Sequence, residues 1–164
     1  MSEQNLLPCI HVAPGDIPPR VITCGDPARA ERIAQRLTNS KNLAKNREFW
    51  VYTGTYKGTE IAVVSHGVGC GGAAIGFEGL WRAGAKVIIR TGTCGGMQPT
   101  VFPGDVIVAT GAIRFEGTSR EYMPIEFPAV ADLDITCALR DAAKKLGYTY
   151  HTGVVQCKDS FYGQ

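Results

Sequence analysis

Short apolar runs that end abruptly in glycine, and that alternate with helical stretches, constrain this chain more than any other feature of its sequence. Val21-Ile22-Thr23-Cys24 is a buried-strand candidate that stops at Gly25-Asp26-Pro27. A helix is expected from Pro27 to about Leu37. Asp26 suits the N-cap, and Pro27 suits the first helical position, whose amide lacks a partner in any case. Ile33, Ala34 and Leu37 form its apolar stripe, with Arg29, Glu31, Arg32 and Arg36 at polar positions. From Glu48 to Tyr56, Phe49, Val51 and Thr53 alternate with Trp50 and Tyr52, the period of a strand. Tyr56-Lys57-Gly58-Thr59 reads as a hairpin turn that returns along Glu60 to Ser65.

A glycine-dense loop, Gly67-Val68-Gly69-Cys70-Gly71-Gly72, precedes an expected helix from Ala73 to Ala83. Lys86 to Arg90 is the strongest strand signal and runs straight into Thr91-Gly92-Thr93-Cys94-Gly95-Gly96. Pro103-Gly104 turns the chain into a strand from Asp105 to about Ala112. An amphipathic helix, Ile135 to Leu146, is stopped by Gly147, and Thr149 to Val155 is a strand after it. Strands and helices in alternation argue for an α/β sheet covered on both faces. A length of 164 residues suits a single domain, 1–164. The last residues, Ser160-Phe161-Tyr162-Gly163-Gln164, are loop-like immediately after a strand, so the expectation is a piece of something longer, incomplete on its C-terminal side.

Hydrophobic residues make up 45% of the chain and charged ones 20%, enough for a real core. Seventeen Lys+Arg stand against 15 Asp+Glu, a net charge of +2. That balance speaks against nucleic-acid binding through a broad basic surface but leaves room for a local anion pocket. Lys, Arg or Gly interrupts every apolar run before it reaches membrane-spanning length, and Met1-Ser2-Glu3-Gln4-Asn5 does not resemble a secretion signal. A soluble cytoplasmic protein is expected. The six cysteines, Cys9, Cys24, Cys70, Cys94, Cys137 and Cys157, contain no Cys-x-x-Cys pair and read as reduced thiols. Cys24, Cys137 and Cys157 lie in apolar sequence and are expected to behave as small core residues.

Two strand-end loops are candidates for the chemistry. Gly25 would let backbone amides approach a ligand, the helix from Pro27 aims its positive end there, and Arg29 adds a guanidinium fork. The alternative is that Gly-Asp-Pro merely starts a helix. In the second loop, Arg90 ends a buried strand, where an unpaired charge is expensive, and Thr93 offers a hydroxyl and an amide among glycines. Such a grouping suits phosphate better than a metal or a carboxylate pair; the competing reading pairs Arg90 with an internal acid such as Glu78. There is no P-loop and no nucleophile elbow, and His11, His66 and His151 have no metal-ligand spacing. His151, beside a strand, reads as structural or solvated.

Gly25-Asp26-Pro27-Ala28-Arg29, Asn46-Arg47-Glu48-Phe49, Ser65-His66-Gly67-Val68-Gly69 and Arg90-Thr91-Gly92-Thr93-Cys94-Gly95-Gly96 come in an order and spacing that resembles the nucleoside phosphorylase family. That family includes uridine phosphorylase and the hexameric purine nucleoside phosphorylases. Glu126 to Asp132 and the closing Phe161-Tyr162-Gly163-Gln164 are most similar to the uridine branch, while Thr53 to Gly58 and Cys94 are closer to the purine branch. The resemblance implies a three-layer α/β/α fold with a central mixed sheet, its C-terminal part absent here. It implies phosphorolysis of a nucleoside, uridine first, to free base and ribose 1-phosphate. Inorganic phosphate would be the co-substrate, with no cofactor.

By the same resemblance, Gly25, Arg29, Arg90 and Thr93 would hold phosphate, with Arg47 supplied by a neighbouring subunit of a dimer-based hexamer. Arg90 and Thr93 would be the catalytic pair, acting by position and charge. Cys94 and Gly95 would border base and sugar, Phe161 would stack on the base, and Gln164 would pair with a pyrimidine edge. His11 resembles a histidine that reaches the ribose across a dimer. Glu48 and Val68 match a monovalent-cation site of some uridine phosphorylases, although Gly72 stands where a serine hydroxyl would be. A purine nucleoside phosphorylase, a nucleosidase that uses water, and a non-catalytic nucleoside-binding protein are the alternatives.

Overall fold

The structure, a computed structural model, describes residues 5–163. The chain falls into two compact units, Met1–Thr93 and Cys94–Gln164. The first unit holds β1 (Arg20–Cys24), α1 (Pro27–Ala34), β2 (Thr38–Asn46), β3 (Phe49–Tyr56), β4 (Thr59–Ser65), α2 (Gly69–Ala83) and β5 (Val87–Arg90). Its five strands form one mixed sheet in the order β2-β3-β4-β1-β5. β1 runs parallel to both β4 and β5, with Cys24 opposite Ser65 and Thr23 opposite Arg90. The β2–β3 and β3–β4 pairs are antiparallel.

Alternation along these strands feeds two cores. Val21, Phe49, Val51, Ala62 and Val64 pack with Ile10, Val12, Ile17, Leu80, Ala83 and Ala85 on the α2 face. On the opposite face Cys24, Tyr52 and Val63 meet Ala30, Ala34 and Leu37 of α1 and the turn after it. Within this unit the sheet is therefore sandwiched between helices, the three-layer arrangement expected. The β3–β4 turn falls at Lys57 and Gly58, both at positive φ, as a tight two-residue hairpin requires.

The second unit holds β6 (Val106–Phe115), α3 (Thr118–Tyr122), β7 (Ala129–Val130), α4 (Leu133–Lys145) and β8 (Tyr150–Lys158). Its three strands form a mixed sheet, β7-β6-β8, with β6 and β8 parallel. Asp132 caps α4 by accepting from the Ile135 amide at 2.9 Å. Gly147, at φ 75°, ends the helical run. Arg114 ties the following segment together by donating to the Ser119 hydroxyl and to the carbonyls of Ser119, Met123, Pro124 and Phe127.

Several boundaries move from where the sequence put them. α1 stops at Ala34 rather than Leu37, yet Leu37 still reaches the core from the turn beyond. α2 begins at Gly69, inside the stretch read as a loop. β6 and β8 run on to Phe115 and Lys158. β2, α3 and β7 were not expected at all. The strand ending in Arg90 is half-buried rather than buried, because β5 lies at the edge of its sheet. Cys24 is buried, but Cys137 on α4 is only half-buried, and Cys157 is exposed because the outer end of β8 lies open to solvent. Among the described residues no helix is long and apolar enough to cross a membrane.

Candidate functional site

Parallel pairing puts the carboxyl ends of β1, β4 and β5 side by side, the edge at which open α/β sheets gather ligand-binding loops. The loops that leave this edge interlock through the backbone. The amides of His66 and Gly67 donate to the carbonyls of Cys24 and Gly25, both at 2.9 Å, and the Thr91 amide donates to the Thr23 carbonyl at 2.8 Å. A Cβ on Gly25 would stand 2.9 Å from the Gly67 carbonyl oxygen, so only glycine allows the first two loops to lie this close.

Arg90 is held from this same edge. Its Nε donates to Nε2 of His66 at 2.9 Å. Glu78, the alternative partner, instead accepts from Arg82 one turn along α2 at 3.1 Å. His66 is 2% exposed and lies edge-to-face with Phe77, ring centroids 5.7 Å apart. Burial first, and the Arg90 charge second, hold the imidazole below its ordinary pKa, so it stays neutral and can accept.

Arg29 lies in the first turn of α1. The Cys24 thiol beside it is held above its ordinary pKa, by burial first and by the Asp26 carboxylate as well, against the opposing charges of Arg29, Arg90 and Arg32. Positive and negative groups thus meet at the end of β1, with Arg29 and Arg90 set against Asp26. The helix terminus itself is less open to a guest than the sequence suggested. Asp26 accepts from the amides of Ala28 at 2.9 Å and Arg29 at 3.1 Å, so the chain's own carboxylate occupies those donors. The amides that open α1 are therefore already matched within the chain.

Arg47 sits at φ 51° in the two-residue turn between β2 and β3. Because β3 runs antiparallel to β4, that turn lies at the same edge of the sheet as Gly67. Glu48 is in close contact there: a Cβ on Gly67 would come 2.6 Å from its Cγ. The Arg47 side chain is exposed, as is Thr93, which follows the last ladder bond of β5. His11 is exposed at φ 50°.

Cys94, Gly95 and Phe161 belong to the second unit, where all three are exposed. Phe161 lies edge-to-face with Tyr162 at 5.1 Å. Gln164 lies outside the described residues. His151 is structural, its Nε2 2.9 Å from an Asp105 carboxylate oxygen. Among the described residues no group of three His, Cys, Asp or Glu side chains gathers to hold a metal. Sequence reading gave His66 no role. The signal that could have found it is a histidine directly following a buried strand at the edge where Arg90 emerges.

Residues 19–164 match the phosphorylase superfamily. A uridine phosphorylase of Treponema pallidum is 52% identical over 94% of this chain and 60% of its own length. A guanosine phosphorylase of Halorubrum lacusprofundi is 40% identical over 96% of this chain and 65% of its own length. Among solved structures, a uridine phosphorylase from Vibrio fischeri matches with a TM-score of 0.96 at 37% identity, covering 100% of this chain and 69% of that one. A purine nucleoside phosphorylase from Toxoplasma gondii, in complex with immucillin-H, matches with a TM-score of 0.93 at 41% identity, covering 100% and 66%. The chain spans about three fifths of the length of the curated relatives it matches. With the match running from β1 to the final residue, the chain belongs to the phosphorylase superfamily.

Proposed function

We propose that the full-length gene product catalyses phosphorolysis of a nucleoside, with uridine as the first substrate to consider. The observation that carries this reading is positional: Arg29, in the first turn of the helix that follows β1, and Arg90, at the end of β5, both arise at the carboxyl edge of three parallel strands. The 52% identity to a uridine phosphorylase supports it. In the reaction, a phosphate oxygen attacks the anomeric carbon as the C–N bond to the base breaks. The bonding electrons leave with the base, and ribose 1-phosphate forms. No protein nucleophile is needed; an anion held beneath a sugar that gains positive charge supplies the catalysis.

Gly25, Arg29, Arg90 and Thr93 are assigned to phosphate, with Arg47 reaching the site of a neighbouring subunit in a homo-oligomer. His11, Cys94, Gly95, Phe161 and Gln164 are assigned to the nucleoside. Inorganic phosphate is the co-substrate, no cofactor is invoked, and nucleoside salvage in the cytoplasm is the setting. A purine substrate is the second reading, favoured by the relatives named guanosine and purine nucleoside phosphorylase.

The test is an assay of the full-length gene product on uridine and on inosine, each with and without phosphate. Phosphate-dependent cleavage of uridine is the expected result. Cleavage of inosine alone moves the protein to the purine reading, and cleavage that ignores phosphate makes it a nucleosidase. Tight binding without turnover makes it a nucleoside-binding protein.

A further inference from the structure

His66 is a costly residue to bury. It is 2% exposed, its Nε2 accepts from Arg90, and its Nδ1, which must then carry the ring proton, has no hydrogen-bond partner among the described residues. An unmatched buried donor weakens a fold, and an apolar residue of similar shape would avoid that loss. The surroundings nevertheless fix the ring closely. Phe77 meets it edge-on, and α2 approaches so near that a Cβ on Gly76 would stand 3.2 Å from the His66 Cβ. What the ring accomplishes is visible at Arg90: a hydrogen bond at Nε fixes the guanidinium plane while leaving NH1 and NH2 without a protein acceptor among the described residues. Those two nitrogens form the fork that grips a tetrahedral oxyanion at two oxygens.

We propose that His66 is a positioning residue for phosphate, acting through Arg90 by accepting its Nε–H and presenting the NH1/NH2 fork to the anion. The inference rests on the reading of Arg90 as a phosphate ligand and adds to it the group that aims that ligand. A flexible, exposed arginine would reach the anion in many orientations. The imidazole, itself clamped by α2, removes that freedom before phosphate arrives.

The experiment uses the full-length gene product and four variants. His66→Phe and His66→Val remove the acceptor with side chains of different size, so that neither an overfilled nor a loosened pocket decides the result alone. His66→Gln restores an acceptor, and Arg90→Ala tests the underlying reading. KM for phosphate and KM for the nucleoside are measured for each. Both acceptor-free variants are expected to raise the phosphate KM roughly tenfold, with the nucleoside KM nearly unmoved, and His66→Gln to recover most of that loss. Equal rises in the two KM values, an unchanged phosphate KM, or a Gln variant no better than Phe and Val would each overturn the role of His66. If Arg90→Ala leaves the phosphate KM unchanged, the reading of Arg90 fails, a result separate from any of these.

Discussion

The Ser65 hydroxyl donates to the carbonyl of Glu48 at 2.6 Å, and the same oxygen accepts from the Trp50 amide at 2.9 Å. One fully buried side chain thus fastens the β2–β3 turn, with Arg47 in it, to the end of β4. Replacing Ser65 by Ala leaves a backbone donor and a backbone acceptor unmatched. The expected loss is about 1–3 kcal/mol in chemical unfolding. Ser65→Thr, which keeps the hydroxyl, should lose less than Ser65→Ala; equal losses would remove the hydrogen bonds as the cause.

The fold was legible wherever burial imposed a period. β1 and β4 read as short apolar runs because both their faces meet a helix, β3 alternates along its length, and α4 shows its stripe between the Asp132 cap and Gly147. β2 was invisible for the opposite reason. Thr38 to Asn46 is polar almost throughout and exposed along nearly its whole length, so no apolar period marks it. Its strand character comes from pairing with β3, a tertiary fact. The candidate site was legible as a set of arginines and glycines, but not as a geometry. His66 and Arg90 lie 24 residues apart, one just past β4 and the other at the end of β5, strands joined only through β1, and nothing local in the sequence signals that register.

Asp26 supplies two capping bonds to α1, and its carboxylate also lies 3.6 Å from Arg32. The cap carries most of the effect, because the ion pair is exposed. Asp26→Ala should destabilise by about 1 kcal/mol, whereas Asp26→Asn, which can still accept at the N-terminus, should cost much less. Thermal unfolding of the two variants against the parent protein separates the cap from the charge.

Arg90→Ala removes a guanidinium that the Proposed function assigns to phosphate. Charge-assisted contacts of this kind are worth about 1.5–3 kcal/mol, so phosphate binding should weaken by roughly one to two orders of magnitude while nucleoside binding changes little. Calorimetric titration of each ligand separately reads this directly. Equal weakening of both would mean that Arg90 holds the fold of the edge rather than the anion.

Gly67 is at φ 75°, and a Cβ there would stand 2.6 Å from Glu48 Cγ. Gly67→Ala therefore meets two penalties at once, a left-handed backbone and a side chain that must shift. The combined expectation is a loss of about 1–3 kcal/mol. Pairing it with Glu48→Ala removes the tighter contact, with Cγ, and leaves the backbone cost untouched. The double variant should recover some of the loss in unfolding measurements, and the remainder combines the backbone cost with the residual contact to the Glu48 Cβ at 3.0 Å.

His66 also writes a pH dependence into stability. Burial first, and Arg90 second, lower its pKa in the folded chain below the ordinary 6.5, while the unfolded chain titrates at that ordinary value. Between the two values the unfolded state binds more protons than the folded one, so stability rises with pH across that window and levels off above about 6.5. Acidification from neutral pH should accordingly lower the unfolding midpoint well before carboxylates begin to protonate. His66→Gln has no such proton to bind, and its stability profile should be flatter between the folded pKa and about 6.5. A parent and variant that lose stability in parallel over that range would assign the effect to other groups.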